Sequence, residues 1–449
     1  MTASAPGLII AAPSSGAGKT TITLGLARAL HRSGVRIATA KAGPDYIDPG
    51  FHAAATARPC LNLDVWAMRQ ETLRSLAAQL ATGTELILCE GVMGLFDGVD
   101  GQGGGSTAAL AALTGWPVVL VVDARGLAAS AAAIVQGFAT PPPSLARTGL
   151  RIGGVIFNRV GGESHVRLLR ETMRRALPDL PVLGCVARDA AIGAPERHLG
   201  LVPAGEHPSL EAFLGRAAQA VSSVDLVALR QLARPAALSP TGVTAPVALV
   251  PPLGQRTAVA RDTAFAFTYP AVLEAWRRAG TELSFFSPLA DESPGDACDA
   301  VYLPGGYPEL HAGRLAAAAR FLQGLRRAAE RQAAIYGECG GYMTLGAGLI
   351  DAGGVRHAMA GLLPVETSFA RRRLHLGYRR ATLAGDGPLG VTGTAYRGHE
   401  FHYATILDEG AGLPLFHLAD ASGRELAPGG RRSGSVAGSF LHLIDRADA

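Results

Sequence analysis

The sequence predicts an α/β protein made of two parallel-sheet units joined by a linker. Three observations predict it. Short apolar runs alternate with helix-period segments through the first half of the chain, and the same alternation restarts after residue 246. Between the two lies a stretch rich in Pro, Ala, Ser and Thr, residues 233–246, with no apolar periodicity. The length of 449 residues suits two or three ordinary domains. Apolar strands alternating with helices imply parallel sheets covered on both faces.

In chain order, residues 8–12 read as the first strand. Residues 20–33 read as a helix, with Ile22, Leu24, Leu26, Ala27 and Leu30 on its apolar side. Further strands are expected at 35–40, 86–89, 118–122, 154–157 and 181–186, the last closing the first unit. The expected division is a first domain at 1–235, a linker at 236–245 and a second domain at 246–449. The second domain is expected to open with a strand at 247–250. Helix 270–279, strands 282–286 and 300–303, helix 312–330 and strand 334–336 follow. Beyond about residue 360 the pattern shortens and becomes Gly-rich.

Composition narrows the function. Hydrophobic residues make up 48% and charged residues 17%, which supports packed cores. A net charge of +4 over this length gives no reason to expect nucleic acid or a membrane as partner. No apolar run reaches the ~18 residues that span a bilayer. The five cysteines include no CxxC pair, so the expected setting is reducing and cytoplasmic. Lysine occurs only at Lys19 and Lys41, against 39 arginines, and asparagine only at Asn62 and Asn158. Two lysines in so Arg-biased a chain mark places where an ammonium point charge serves and a guanidinium fork does not.

The first chemical centre follows the first strand. Residues 12–20 read APSSGAGKT. Gly16 and Gly18 allow backbone N–H groups to turn toward phosphate oxygens. Lys19 would reach the β and γ phosphates, and the Thr20 hydroxyl, with Thr21 behind it, would face a Mg²⁺. Pro13 replaces the first Gly of the full phosphate-loop pattern. Mg²⁺ wants further oxygen ligands. The segment KAGPDYIDP (41–49) carries Lys41, Asp45, Tyr46 and Asp48, and CEGVMGLFDG (89–98) carries Glu90 and Asp97. Thr20, Asp45 and Glu90 are the expected metal ligands. Lys41, Asp45, Tyr46 and Asp97 are expected beside substrate or phosphate, because ligands collect outside the carboxyl ends of parallel strands. Asn158, after another buried strand, is a candidate for reading adenine.

The second centre lies in the other half. VYLPGGYPEL (301–310) sets Gly306 just after a strand, and IYGECGGYM (335–343) sets Cys339 at a strand-to-helix turn. A thiol there, entering a helix N-terminus, has its thiolate favoured by the dipole and is exposed for attack as a nucleophile. Backbone N–H groups around Gly306 and Gly340 would form an oxyanion hole. GSFLHLIDR (438–446) offers His442 as its base.

With both centres in view, the chain resembles the cobyrinic acid and hydrogenobyrinic acid a,c-diamide synthases of cobalamin biosynthesis. APSSGAGKTT, KAGPDYIDP, RPCLNLDVWAM, CEGVMGLFDG, LPGGYPEL, YGECGGYM, LGYR, GHEFHY and GSFLHL occur in that order, over nearly the whole chain. The resemblance implies a dethiobiotin-synthetase-like ATPase domain and a flavodoxin-like class I glutamine amidotransferase domain. It implies a corrinoid tetrapyrrole, L-glutamine and ATP as substrates, Mg²⁺ as cofactor, and a ligase that amidates the a and c acetate side chains through acyl phosphates. A homodimer is a candidate assembly. Class I amidotransferases usually carry Glu two positions after the catalytic His, where this chain has Ile444. The resembled family tends to lack that acid, which implies a Cys339–His442 dyad, and the sequence leaves open whether Asp445, Glu338 or no acid orients His442. Alternatives within the class are cobyric acid synthase and a nickel-sirohydrochlorin diamide synthase. Outside it stands a ParA-like ATPase.

Overall fold

The computed structural model describes residues 5–189, 196–197, 200–238 and 249–447. The chain divides into two compact units. One is Met1–Trp66 with Leu73–Thr244; the other is Ala67–Thr72 with Ala245–Ala449.

The first unit is a parallel sheet of β1 (Pro6–Ala11), β2 (Ile37–Ala42), β3 (Leu61–Leu63), β4 (Leu86–Glu90), β5 (Val118–Asp123), β6 (Ile152–Val160) and β7 (Val182–Ala187). Their order is β3-β2-β4-β1-β5-β6-β7, so β7 forms the edge. A short segment, Arg234–Pro235, pairs antiparallel with β1. Every residue of β2 and β4 is buried. That is the two-sided burial that unbroken apolar runs anticipate. Because β1 lies between β4 and β5, the chain order reverses there, and the loop after β1 opens at the switch point. Helix α1 (Lys19–Arg32) leaves that loop, and helix α2 (Asp48–Thr56) follows β2. Of the expected linker, residues 239–245 lie outside the described residues.

The second unit carries a ten-stranded mixed sheet. Its strands are β8 (Arg256–Ala260), β9 (Glu282–Phe286), β10 (Ala300–Leu303), β11 (Ala334–Glu338), β12 (His375–Leu383), β13 (Ala395–His402), β14 (Leu413–Asp420), β15 (Gly429–Ser433), β16 (Val436–Ser439) and β17 (Leu441–Arg446). The order is β9-β8-β10-β11-β16-β15-β14-β12-β13-β17. The β9-to-β16 half is parallel and the rest antiparallel. Only Phe440 separates β16 from β17, yet β17 pairs with β13, at the far end of the path. His442 is thereby set opposite His399.

Two expected elements differ. The strand expected at 247–250 is not found: Leu249 and Val250 form a bend, 247–248 lie outside the described residues, and the strand is β8. Pro251 and Pro252 follow, and two residues without N–H groups cannot extend a central strand. The helix expected at 312–330 is two, Ala312–Ala317 and Ala319–Glu330. Ala318 leaves the helical region at ψ 74°, and the Phe321 N–H donates to Asp291 Oδ1 instead of continuing the first helix. Among the described residues no single helix is long and apolar enough to cross a membrane.

Candidate functional site

In the first unit, the loop after β1 is shaped by its glycines. Gly16 and Gly18 have φ of +77° and +91°, a region Gly enters without steric cost. A side chain at Gly18 would also strike Asn158, whose Nδ2 would lie 2.2 Å from the added carbon. Asn158 donates from Nδ2 to Ala17 O at 2.9 Å, and Arg159 donates to Gly16 O at 2.8 Å. Arg159 is held in turn by Asp123 at 2.6 Å. The register pairs Asp123 with Asn158 across β5 and β6, so two strand ends clamp the loop from one side.

On the other side stands a buried charge cluster. Glu90, at the end of β4, is fully buried. Its Oε1 accepts from the Thr20 hydroxyl at 2.6 Å and from Lys41 Nζ at 2.9 Å, and its Oε2 meets His52 Nε2 at 2.6 Å. Lys41 also donates to Asp48 Oδ2 at 2.5 Å. Asp48 and His52 are i and i+4 on α2 and therefore share a face. Burial pushes the Glu90 carboxyl up, but Lys41, His52 and Thr20 together hold it below the usual carboxylate range. Burial also opposes charge on Lys41, and Asp48 and Glu90 outweigh it to keep the ammonium. Asp48 is pushed up to about 8 by burial and by Asp45, against the pull of Lys41. Crowded carboxylates cannot all ionise beside one ammonium. Of the expected metal ligands, Thr20 and Glu90 meet directly at 2.6 Å, an oxygen pair of the kind Mg²⁺ takes.

The remaining expected residues are placed as follows. Lys19 donates to the carbonyls of Ser14 and Met93, at 3.3 and 2.5 Å. Its pKa is lowered by burial, with the Glu90 charge opposing. Met93 sits at φ +48°, uncommon for a residue with a side chain. Asp45 Oδ1 accepts from the N–H groups of Ile47 and Asp48. Tyr46 is buried. Asp97 is exposed, and its Oδ2 accepts from Gly94 N–H at 2.8 Å. Thr21 is half-buried. Lys41 is enclosed by carboxylates rather than facing solvent, with 3% exposure.

In the second unit, Cys339 follows β11 and caps the helix Gly340–Leu345. Its φ of +47° and ψ of −101° make a sharp elbow, the kind of strained backbone that persists where surrounding structure enforces it. Its N–H donates to Ser439 O at 2.8 Å. A side chain on Gly305 would come within 2.3 Å of His442 Cε1, 3.1 Å of Nε2 and 3.3 Å of Cys339 Cβ, so thiol and imidazole share that surface. A side chain on Gly340 would reach 3.0 Å from Gly306 N, which puts the two expected oxyanion positions side by side. Cys339 is buried rather than exposed as expected, and burial pushes its thiol well up instead of favouring the thiolate, with Glu309, Glu338 and Glu400 adding to it. Burial lowers His442 to about 3, helped by His399 and His402. The resting pair is neutral.

The residues the sequence reading passed over are supports. His52 had a signal, its i+4 spacing from Asp48. Asp123 and Arg159 had a weaker one, at the carboxyl ends of the strands beyond β1. Glu400 is held by Arg379 at 2.7 Å and by His402 at 3.0 Å.

Comparisons with known proteins match a family in each half of the chain. Residues 8–202 match the CobQ/CobB/MinD/ParA nucleotide binding domain, and residues 256–449 match the CobB/CobQ-like glutamine amidotransferase domain. The chain is 54% identical over 448 residues to a hydrogenobyrinate a,c-diamide synthase of Sinorhizobium sp, covering 99% of each. It is 53% identical to that of Rhizobium meliloti (98% of this chain, 99% of the relative). It is 51% identical to that of Agrobacterium fabrum (97% and 98%). The chain belongs to the hydrogenobyrinate a,c-diamide synthase family.

Proposed function

We propose that this chain is an ATP- and glutamine-dependent ligase that converts the a and c acetate carboxylates of hydrogenobyrinate, or of its cobalt-containing counterpart, to amides. The observation that carries this is the 54% identity spanning 99% of both chains. The two centres supply the chemistry it requires.

In this reading residues 1–235 form the amide synthetase, 246–449 the amidotransferase, and 236–245 the connection. Backbone N–H groups near Gly16 and Gly18, with Lys19, Thr20 and Thr21, hold the ATP phosphates, and Asn158 lies toward the adenine. Lys41, Asp45, Tyr46 and Asp97 lie on the side of the transferred phosphate and ring carboxylate. Thr20, Asp45 and Glu90 would hold a Mg²⁺, which would supply neutralisation of phosphate charge. Lys19 stabilises charge on the phosphoryl group as the carboxylate oxygen attacks the γ-phosphorus and the bond to the bridging oxygen breaks, giving an acyl phosphate and ADP. At the other centre His442 takes the Cys339 proton. The thiolate attacks the glutamine side-chain carbonyl, and N–H groups near Gly306 and Gly340 receive the oxyanion. His442 returns the proton to the departing ammonia, and water releases glutamate from the thioester. Ammonia displaces phosphate from the acyl phosphate. A cytoplasmic enzyme acting on small molecules, not on nucleic acid or membrane, fits this reading, with a homodimer as the expected assembly.

Mass spectrometry of products from hydrogenobyrinate and cobyrinate, each with ATP, Mg²⁺ and glutamine, tests the proposal. A diamide from either macrocycle is expected. Release of glutamate without any amide product would refute it.

A further inference from the structure

Burial holds Cys339 and His442 neutral, and a carboxylate beside His442 would favour the imidazolium that forms when the thiol gives up its proton. The position two residues after His442 is Ile444, which is buried and apolar. Asp445 is also buried, beyond a register shift at Ile444, and its carboxylate is engaged elsewhere. Its carboxylate is taken up by Arg69, at 2.8 Å from Nη2 and 2.9 Å from the backbone N–H, and by the Thr72 hydroxyl at 2.6 Å. Asp445 therefore anchors the segment Ala67–Thr72, which belongs to this unit.

Glu338 is differently placed. It is the last residue of β11, immediately before the nucleophile. Its Oε2 lies 3.7 Å from His442 Nδ1, with both side chains buried. Its Oε1 accepts from the Leu443 N–H at 3.1 Å, and its Oε2 accepts from the Tyr302 hydroxyl at 2.8 Å. The carboxylate is thus fixed from two strands, one of them the strand that carries His442. The imidazole is oriented to match: Nδ1 faces Glu338, while Nε2 lies on the Gly305 surface shared with Cys339.

We propose that Glu338 is the positioning residue of this amidotransferase centre, the counter-charge that receives His442 Nδ1–H when Nε2 takes the thiol proton. The acid that would otherwise follow the histidine is supplied from the residue before the cysteine. This deepens the amidotransferase reading above and rests on it. The proton moves from Cys339 sulfur to His442 Nε2, the S–C bond forms, and the C–N bond breaks as Nε2 returns the proton to ammonia. Glu338 stays ionised throughout.

The arrangement has a pH signature. Burial pushes the Glu338 carboxyl up to about 7, against hydrogen bonds from Tyr302, the Leu443 N–H and Tyr336. Below that pH Glu338 is protonated and gives the imidazolium no support; above it the support is present. The other groups facing the pair are His399, His402 and Glu400 around His442, and Glu309 and Glu400 around Cys339. Glu400 is held down at about 2 by His402 and Arg379 despite burial, so it is ionised throughout the assay range. Burial and the Glu338 charge push the Tyr302 hydroxyl well up, so it stays neutral there.

The experiment compares the full-length wild type with Glu338→Gln, which keeps the shape and the Leu443 contact, and with Glu338→Asp. Glutamate release from glutamine is measured from pH 5.5 to 9 (about the range where the carboxylate titrates) in the presence of ATP, Mg²⁺ and the macrocycle. Inactivation by a glutamine-analogue diazoketone is followed in parallel, and ammonium-supported amidation is the control. Expected for Glu338→Gln is a fall in kcat of about 10²-fold, little change in KM for glutamine, and loss of the acid limb near pH 7. Diazoketone inactivation should slow in proportion, and Glu338→Asp should recover part of the rate. A wild-type kcat with its acid limb intact overturns the proposal. So does an equal loss of ammonium-supported amidation, which would mark a purely structural residue. If the wild type itself released no glutamate, the underlying amidotransferase reading would fail instead.

Discussion

The two centres solve opposite electrostatic problems. Around the phosphate loop, charge is present before any ligand arrives: Glu90 and Lys41 are buried yet ionised, each held by several partners. Around Cys339 and His442, burial keeps the reacting groups neutral, and charge must be created during the reaction. The difference follows from the chemistry. A polyanionic nucleotide meets a site whose dipoles and ions are already set, the cheapest way to stabilise developing charge. A thiol that stays neutral until its substrate is in place is protected from oxidation, since reactivity follows thiolate character.

The comparison is broken most directly at Lys19. Lys19→Arg should reduce amidation by about 10²–10³-fold, the scale for losing a donor aimed at developing charge. The loss should be the same with glutamine or ammonium. The lysine already touches two loop carbonyls, and the longer, planar guanidinium would displace them. Unchanged ATP turnover would show that Lys19 is not a phosphate ligand.

Glu90→Gln sharpens the same side. It leaves Lys41 and His52 without their shared carboxylate, and breaking a buried pair costs about 3–5 kcal/mol. A lower Tm is expected, together with a higher Mg²⁺ concentration for half-maximal amidation. A Mg²⁺ titration that overlays the wild type would reduce Glu90 to a strand-end support. The smallest effect is expected at Asn158. Asn158→Ala removes the bond to Ala17 O, worth about 1 kcal/mol, so KM for ATP should rise roughly five- to tenfold while glutamate release is unaffected. An unchanged KM would free Asn158 from any part in nucleotide binding.

The sequence was most legible where chemistry is contiguous. APSSGAGKT, KAGPDYIDP and YGECGGYM each place their reactive residue in one short loop, so spacing alone exposes them. Strands of the first unit were readable because two-sided burial gives unbroken apolar runs. Strand β8 was not, because VALV before Pro251 carries the stronger apolar signal than the true strand RTAVA. Asp123 and Arg159 depend on the register of β5 against β6, which no local pattern encodes. The choice between Asp445 and Glu338 required knowing which partners each carboxylate takes. Asp445 finds its partner 376 residues away, at Arg69.

In the proposed mechanism the two centres divide the work, one making ammonia and the other consuming it. The Cys339→Ala enzyme, supplied with ATP, Mg²⁺, the macrocycle and high ammonium at raised pH, tests it most directly. The account predicts no glutamate release and no glutamine-dependent amidation, with diamide formed from ammonium at close to the wild-type ammonium rate. A folded, ATP-binding Cys339→Ala enzyme that makes no diamide from ammonium would contradict it.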